Sequence, residues 1–155
     1  MDVLIREVTP SDIPAYSALI RSVYDEFVAP DYPEEGNRTF YEFIDEAACR
    51  ARLDAGNFMI CAEADGKIVG AHEIRNGNHI ALFFVAKDYH GRGIGRMLFE
   101  EARFRIDLAQ PDVTEITVHS SPYAVTVYER LGFEKTGPLE QQNGIIFQPM
   151  VYSLI

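Results

Sequence analysis

The sequence has no tryptophan, only two cysteines, and a shortage of basic side chains, 14 Lys and Arg against 24 Asp and Glu. Each shortage excludes something. Cys49 and Cys61 stand far apart, with neither Cys-x-x-Cys spacing nor the density of a disulfide framework, so reduced thiols and a cytoplasmic location are expected. No His or carboxylate partners cluster around them, so no metal site is expected. No apolar run is long enough to cross a bilayer, and Met1–Glu7 lacks the pattern of a signal peptide, so no membrane partner is expected. A net charge of −10 at pH 7 argues against nucleic acid, because binding it depends on Lys and Arg neutralising phosphates. Acidity also suits a small cationic substrate, although it commonly serves solubility alone. With no linker, repeat or low-complexity stretch, residues 1–155 read as one domain with a sizeable core.

What is present is a regular alternation of strand and helix signals. Val3–Val8 reads as a strand. Ser11 or Asp12 can cap a helix with Pro14 in its first turn, and Ile13, Tyr16, Ile20, Val23 and Phe27 then form one apolar face. Ala29–Asn37 is rich in breakers and reads as a loop, and Thr39-Phe40-Tyr41-Glu42 has capping-box spacing for a second helix running to about Leu53. Phe58–Ala64, Lys67–Arg75 and Ile80–Val85 read as an antiparallel meander joined at Asp65-Gly66 and Asn76-Gly77. A helix beginning near Ile94 carries Ile94, Met97, Leu98, Ala102 and Ile106 on one face, and Val113–His119 is a strand. Ser121-Pro122 opens a short helix that Gly132 closes. Phe133–Leu139 and Ile145–Ile155 read as a closing hairpin around Gln142-Asn143-Gly144, with Pro149 marking the last strand as an edge or bulged strand. That strand is long and apolar, and a homodimer is one expected way to cover it. The order is βααβββαβαββ, an α/β (α+β) sheet domain of about seven strands and four helices.

One segment stands out. Lys87-Asp88-Tyr89-His90-Gly91-Arg92-Gly93-Ile94-Gly95-Arg96 joins the last meander strand to the following helix. Alternate glycines let the backbone bend and approach a ligand, and a helix start offers unpaired N–H groups and a positive dipole end. Together these make a phosphate cradle, against the plain alternative of an ordinary strand-to-helix turn. Lys87, His90, Arg92 and Arg96 make it locally basic on an acidic chain, which suggests an anionic cofactor beside a non-anionic substrate. The spacing Gly91-x-Gly93-x-Gly95 after an antiparallel meander matches neither the dinucleotide fingerprint nor a Walker-type loop.

His90-Gly91-Arg92-Gly93-Ile94-Gly95 does resemble the Gln/Arg-x-x-Gly-x-Gly/Ala signature of the GNAT-type N-acetyltransferase superfamily, with His90 at the first position. Leu82–Tyr89 is similar to that family's fourth strand and its lead-in. Ser121-Pro122-Tyr123-Ala124 through Tyr128-Glu129-Arg130-Leu131-Gly132-Phe133 resembles its N-x-x-A-x-x-x-Y-x-x-L-G-F segment, with Ser121 in place of Asn. The element order agrees along essentially the whole chain. The resemblance implies a mixed, mostly antiparallel sheet flanked by helices. It also implies acetyl-CoA as co-substrate, held by backbone groups of Phe83, Phe84 and Val85 at the pantetheine and carbonyl. N–H groups from Arg92 to Arg96, including Gly93, Ile94 and Gly95, would hold the pyrophosphate, with His90, Gly91, Ser121 and Ala124 completing the site.

The implied reaction is attack of a primary amine of a small molecule or peptide on a thioester carbonyl through a tetrahedral oxyanion. It needs a neutral amine, donors at the oxygen and a proton for the sulfur. Tyr128, on one face with Ala124, Val127 and Leu131, is the candidate acid, since a phenol stays protonated at neutral pH; the alternative is a core tyrosine bonded to backbone. Glu73, a charge on a face shared with Val69 and Ala71, is the candidate base. His119 is a second candidate, a water chain a third, and Glu63, Asp25 or Glu26 are candidates to line an amine pocket. Two other readings stay open: a protein- or aminoacyl-tRNA-acetylating member of the family, and an inert module that senses acyl-CoA.

Overall fold

The computed structural model describes residues 2–155. β1 (Val3–Glu7) leads through a 3-10 turn at Pro10–Asp12 into α1 (Ile13–Phe27), then α2 (Glu34–Ile44) and α3 (Glu46–Asp54). The meander β2 (Phe58–Ala64), β3 (Lys67–Arg75) and β4 (His79–Val85) precedes α4 (Ile94–Ala109), β5 (Glu115–Ser120) and α5 (Val125–Leu131). β6 (Glu134–Lys135), β7 (Glu140–Gln142) and β8 (Ile145–Ser153) close the chain. The sheet runs β1-β2-β3-β4-β5-β8-β6, with β7 paired to β8. Only β4 and β5 are parallel among neighbours. This is the mixed, mostly antiparallel α/β sheet that the resemblance implies, with eight strands and five helices where about seven and four are expected.

The helices divide between the sheet faces. Ile13, Tyr16 and Ile20 of α1 pack with Cys49 of α3 on Met59, Cys61, Ala71 and Leu82. Ile94, Leu98 and Ala102 of α4 pack on Ile60, Ala62 and Val69 from the other side. Phe99, not Met97, completes the buried stripe of α4; Met97 is exposed.

Four expectations are corrected here, each for a local reason. Thr39 does not start a helix: α2 begins at Glu34, and the Thr39 hydroxyl donates to the Glu35 carbonyl at 3.0 Å inside it. The cap is Asp45, whose carboxylate accepts the Ala48 N–H at 2.7 Å and whose extended backbone divides α2 from α3. Val69 does not share a face with Ala71 and Glu73, because the β2–β3 register passes from Ala62–Gly70 to Glu63–Ile68 and leaves Val69 in a bulge. Strand β6 stops at Lys135, where Gly137-Pro138 breaks the run, so the closing hairpin is β7–β8 across Asn143-Gly144. Pro149 lies in an interior strand, flanked by β5 and β6. Its carbonyl accepts the Thr136 N–H at 3.1 Å; N and C=O of an extended residue point to the same side, so its missing N–H falls where β6 has already ended. β5 and the short β6 flank β8 at Met150 and Val151, so β8 is not the outer strand of the sheet.

Glu73 has no exposed surface at all, 0 %. Its carboxylate takes the Arg52 Nε–H at 2.6 Å and the Tyr16 hydroxyl at 3.3 Å. Arg52 also donates to the Phe43 carbonyl at 2.6 Å and lies over the Phe43 ring at 3.9 Å. One buried ion pair thus ties α1, α2 and α3 to β3. Breaking such a pair from one side leaves a buried charge without its counterion. Arg52→Met is therefore expected to cost about 3–5 kcal/mol in urea unfolding, and Arg52→Met with Glu73→Leu to recover most of that loss.

Candidate active site

The site originates in a failure of strand pairing. β4 and β5 pair only at His79–Thr117 and Ile80–Val118, then diverge. The β3–β4 register passes from Glu73–Leu82 to Ile74–Ile80, so Ala81 is bulged at the point of divergence. A cleft of about 720 Å³ opens there, between the end of β4, the end of β5, the glycine loop, α5 and the aromatic side of α1 and α2. The Ala86 N–H donates to the Val69 carbonyl at 2.8 Å, toward β3. Backbone groups alternate sides along a strand, so those of Val85 and Phe83 face the open cleft. The expectation for Phe84 is corrected by the same alternation: its amide belongs to the β3 side, and its ring packs toward Phe40 across 5.9 Å.

The loop after β4 forms a backbone cradle. Gly91 and Gly93 have φ of +75° and +81°, a region that side chains disfavour. Gly93 caps α4, and its carbonyl accepts the first intrahelical bond, from Met97 N–H at 3.0 Å. The N–H groups of Ile94, Gly95 and Arg96 therefore have no intrahelical acceptor. A Cβ on Gly91 or Gly93 would meet nothing within 4 Å, so this side of the loop is open to a ligand. The basic side chains are engaged elsewhere. His90 lines the cleft, and its Nε2 donates to the Val85 carbonyl at 2.7 Å. Arg96 donates to the Arg130 carbonyl at 3.0 Å, Arg92 lies over the Tyr89 ring, and Lys87 pairs with Glu26. The main-chain donors and the helix dipole make an arrangement able to take an anion.

Across the cleft, Ser121 accepts the Ala124 N–H at 3.3 Å and starts a 3-10 turn that runs into α5. Gly132, in the left-handed region, ends that helix. This aims Tyr128 inward, edge-on to Phe83 and Phe133 at 5.8 and 5.2 Å. Its hydroxyl has no hydrogen-bond partner among the described residues, and burial pushes the phenol above its ordinary value, so it is protonated at neutral pH. His119, on β5, stacks on Phe147 at 4.3 Å and meets His79 edge-on at 4.7 Å. Burial, then Arg75, lowers the His119 imidazole; burial also brings His79 down to about 4. His79 Nδ1 and the Thr117 hydroxyl are 2.8 Å apart, pinning the closed end of the divergence.

The structure thus brings Phe83, Val85, Gly91, Gly93, Ile94, Gly95, Ser121, Ala124, Tyr128 and His119 to one cleft. It does not bring Glu73, which is committed to Arg52 in the core. Nor does it bring Glu63, Asp25 and Glu26, which meet Arg6, Tyr41 and Lys87 respectively. The first two helices, Ala29–Arg38 and Gln141–Phe147 are the segments the sequence points to for acceptor choice; that Tyr24, Tyr32, Phe40 and Phe147 meet as one aromatic wall is what no motif announces. The i, i+4 series Tyr16–Ile20–Tyr24 was the available signal for its first member. Among the described residues, no three His, Cys, Asp or Glu form a metal-binding group, and no helix is long and apolar enough to cross a membrane.

The fold has clear counterparts. A GCN5-related N-acetyltransferase from Rhodopseudomonas palustris is 25% identical, with a TM-score of 0.84, over 99% of this chain and 97% of that one. The PaiA N-acetyltransferase of Thermoplasma acidophilum, solved in complex with coenzyme A, is 19% identical with a TM-score of 0.78, over 99% of both chains. A ribosomal-protein-alanine N-acetyltransferase from Brucella melitensis is 23% identical with a TM-score of 0.67, over 97% of this chain and 99% of that one. No curated protein sequence matches the chain. The family model for the acetyltransferase (GNAT) domain matches residues 28–154, and the chain belongs to that family.

Proposed function

We propose that the protein transfers the acetyl group of acetyl-CoA to a primary amine of a small molecule or peptide. The observation that carries this reading is a main-chain phosphate cradle and a protonated, unpartnered tyrosine facing one gap in the sheet. Acetyl-CoA supplies an activated thioester. Backbone groups of Phe83 and Val85 bind its extended arm as a further strand edge would. The loop N–H groups of Ile94, Gly95 and Arg96 hold its phosphates. Tyr128 gives its proton to the departing sulfur. The amine attacks directly: Cys49 and Cys61 are buried in the core, where burial pushes both thiols up to about 11, so neither is a thiolate nucleophile.

His119 takes the proton of the amine. An imidazole held below its ordinary value is neutral at pH 7 and free to accept, directly or through water.

Release of free thiol from acetyl-CoA against a panel of amines tests the reading. Acyl-CoA binding without release for any amine would instead favour the sensing module. Tyr128→Phe is expected to lower kcat about 10²-fold with little change in acetyl-CoA affinity, read by steady-state kinetics and calorimetry. Gly93→Ala is expected to do the reverse, raising the KM for acetyl-CoA at least about tenfold by straining the left-handed cap. The pH profile should have an acid limb: activity falls as pH drops through the lowered His119 value, below the ordinary 6.5, because the protonated ring no longer accepts. His119→Gln should flatten that limb, whereas Glu73→Gln should lower the melting temperature and leave the limb in place.

A further inference from the structure

The cleft has two chemically unlike halves. The cradle side is main-chain N–H groups and a phenol. The opposite side is walled by Val23, Tyr24, Tyr32, Phe40, Phe84 and Phe147. The chain carries 24 carboxylate side chains, yet none of the described residues lining the cleft is Asp or Glu. Two nearby acids are turned to other partners, Asp25 to Tyr41 and Arg21, Glu26 to Lys87; Glu140, opposite Phe147 on β7, lies outside the lining and acts on His119 only weakly, behind burial and Arg75. The charged side chains that do line the cleft are Arg75 and Arg130, both cationic.

The polar atoms of the aromatic wall are also spent. The Tyr24 hydroxyl donates to Asn37 Oδ1 at 2.8 Å, and Asn37 Nδ2 donates to the Ala29 carbonyl at 3.1 Å. The Tyr32 hydroxyl donates to the Ile146 carbonyl. Tyr24 lies flat on Phe40, 3.9 Å between centroids and 8° apart, with Tyr32 edge-on to it at 6.0 Å. The wall is therefore packed in advance, and one face each of Tyr24 and Phe40 is already taken. An acceptor with a second ammonium group would leave that charge desolvated, without a counterion and in a cleft holding two guanidinium groups. An acceptor with an aromatic or branched apolar group would bury it at no such cost.

We infer that the acceptor is a monoamine whose remaining bulk is aromatic or branched apolar, and that polycationic amines are rejected. This rests on the acetyl-transfer reading and narrows it. It also reverses what the net charge of the chain suggests, because the acidity lies outside the cleft.

The test is free-thiol release from acetyl-CoA with phenethylamine, isobutylamine, ethylamine and spermidine, alongside calorimetric binding of acetyl-CoA alone. Phenethylamine is expected to exceed both ethylamine and spermidine in kcat/KM by about 30-fold or more, with isobutylamine between. Thr39→Glu, which places a carboxylate at an exposed position on the cleft wall, should narrow the gap between phenethylamine and spermidine at least about tenfold. Spermidine turned over as well as phenethylamine or better overturns the inference and leaves acetyl transfer standing. Turnover of ethylamine or spermidine without turnover of phenethylamine does the same, whereas acetyl-CoA binding with turnover of no amine overturns the inference and favours the sensing module. Neither binding nor turnover removes both.

Discussion

The divergence of β4 from β5 is the constraint on which the rest of the molecule depends. Two residue pairs hold these strands together before they separate. Such a gap would normally expose backbone groups on two strands at the centre of a sheet, at a cost comparable to lost hydrogen bonds. It is tolerated because each strand is secured from its outer side. β5 pairs with β8 over six residues, Glu115–Ser120 against Gln148–Ser153. β4 keeps its ladder with β3 to Gly70–Val85. The unpaired edge can then serve a ligand, and His90 on the Val85 carbonyl shows that this edge already attracts a donor.

The gap also orders the electrostatics. Phe83 and Phe84 project to opposite faces of the sheet because neighbouring strand residues must, so one short segment furnishes both walls of the cleft. The Phe83 side meets α4 and α5, where a helix N-terminus and a phenol await negative charge. The Phe84 side meets α1 and α2, where rings pack on rings. Buried charge elsewhere is neutralised locally: Glu73 by Arg52 in the core, Arg6 by Asp12 and Glu63 near the surface. An acidic protein thereby keeps a cleft without carboxylates.

Much of this was legible in the residues, and what was not has identifiable causes. The turns Asp65-Gly66 and Asn76-Gly77 adopt the positive φ that their chemistry favours, so the meander and its exit into the glycine loop follow from local rules. Ser121 and Gly132 bound their helical segment for the same reason. The misreadings arose where a local rule met a tertiary decision. Thr39 has the spacing of a cap, but four residues earlier Glu35 offers an acceptor inside a helix that packing had already begun. Val69 alternates correctly in sequence and is displaced by one bulge, which no pattern of side chains announces. Glu73 looked like a base because it was a charge on an apolar face; its partner, Arg52, lies on a helix whose docking only the folded chain reveals.

The two proton-handling groups in the cleft illustrate how a single cause yields opposite functions. Burial disfavours the charged form of any group. For Tyr128 the charged form is the phenolate, so burial keeps the proton on. For His119, partly shielded from water, it is the imidazolium, so the same effect with Arg75 beside it shifts the ring toward its neutral form. At neutral pH the cleft therefore holds one loaded donor and one empty acceptor, the pairing that the proposed transfer calls on to take a proton from an amine and give another to a thiolate. Neither state requires a neighbouring carboxylate. Glu140 pulls His119 toward its imidazolium, but burial and Arg75 outweigh it, and a carboxylate near Tyr128 would compete for its hydrogen. The absence of acids from the cleft wall and the readiness of both groups are thus the same design, and an acceptor that needs no counter-charge is the one such a cleft can take.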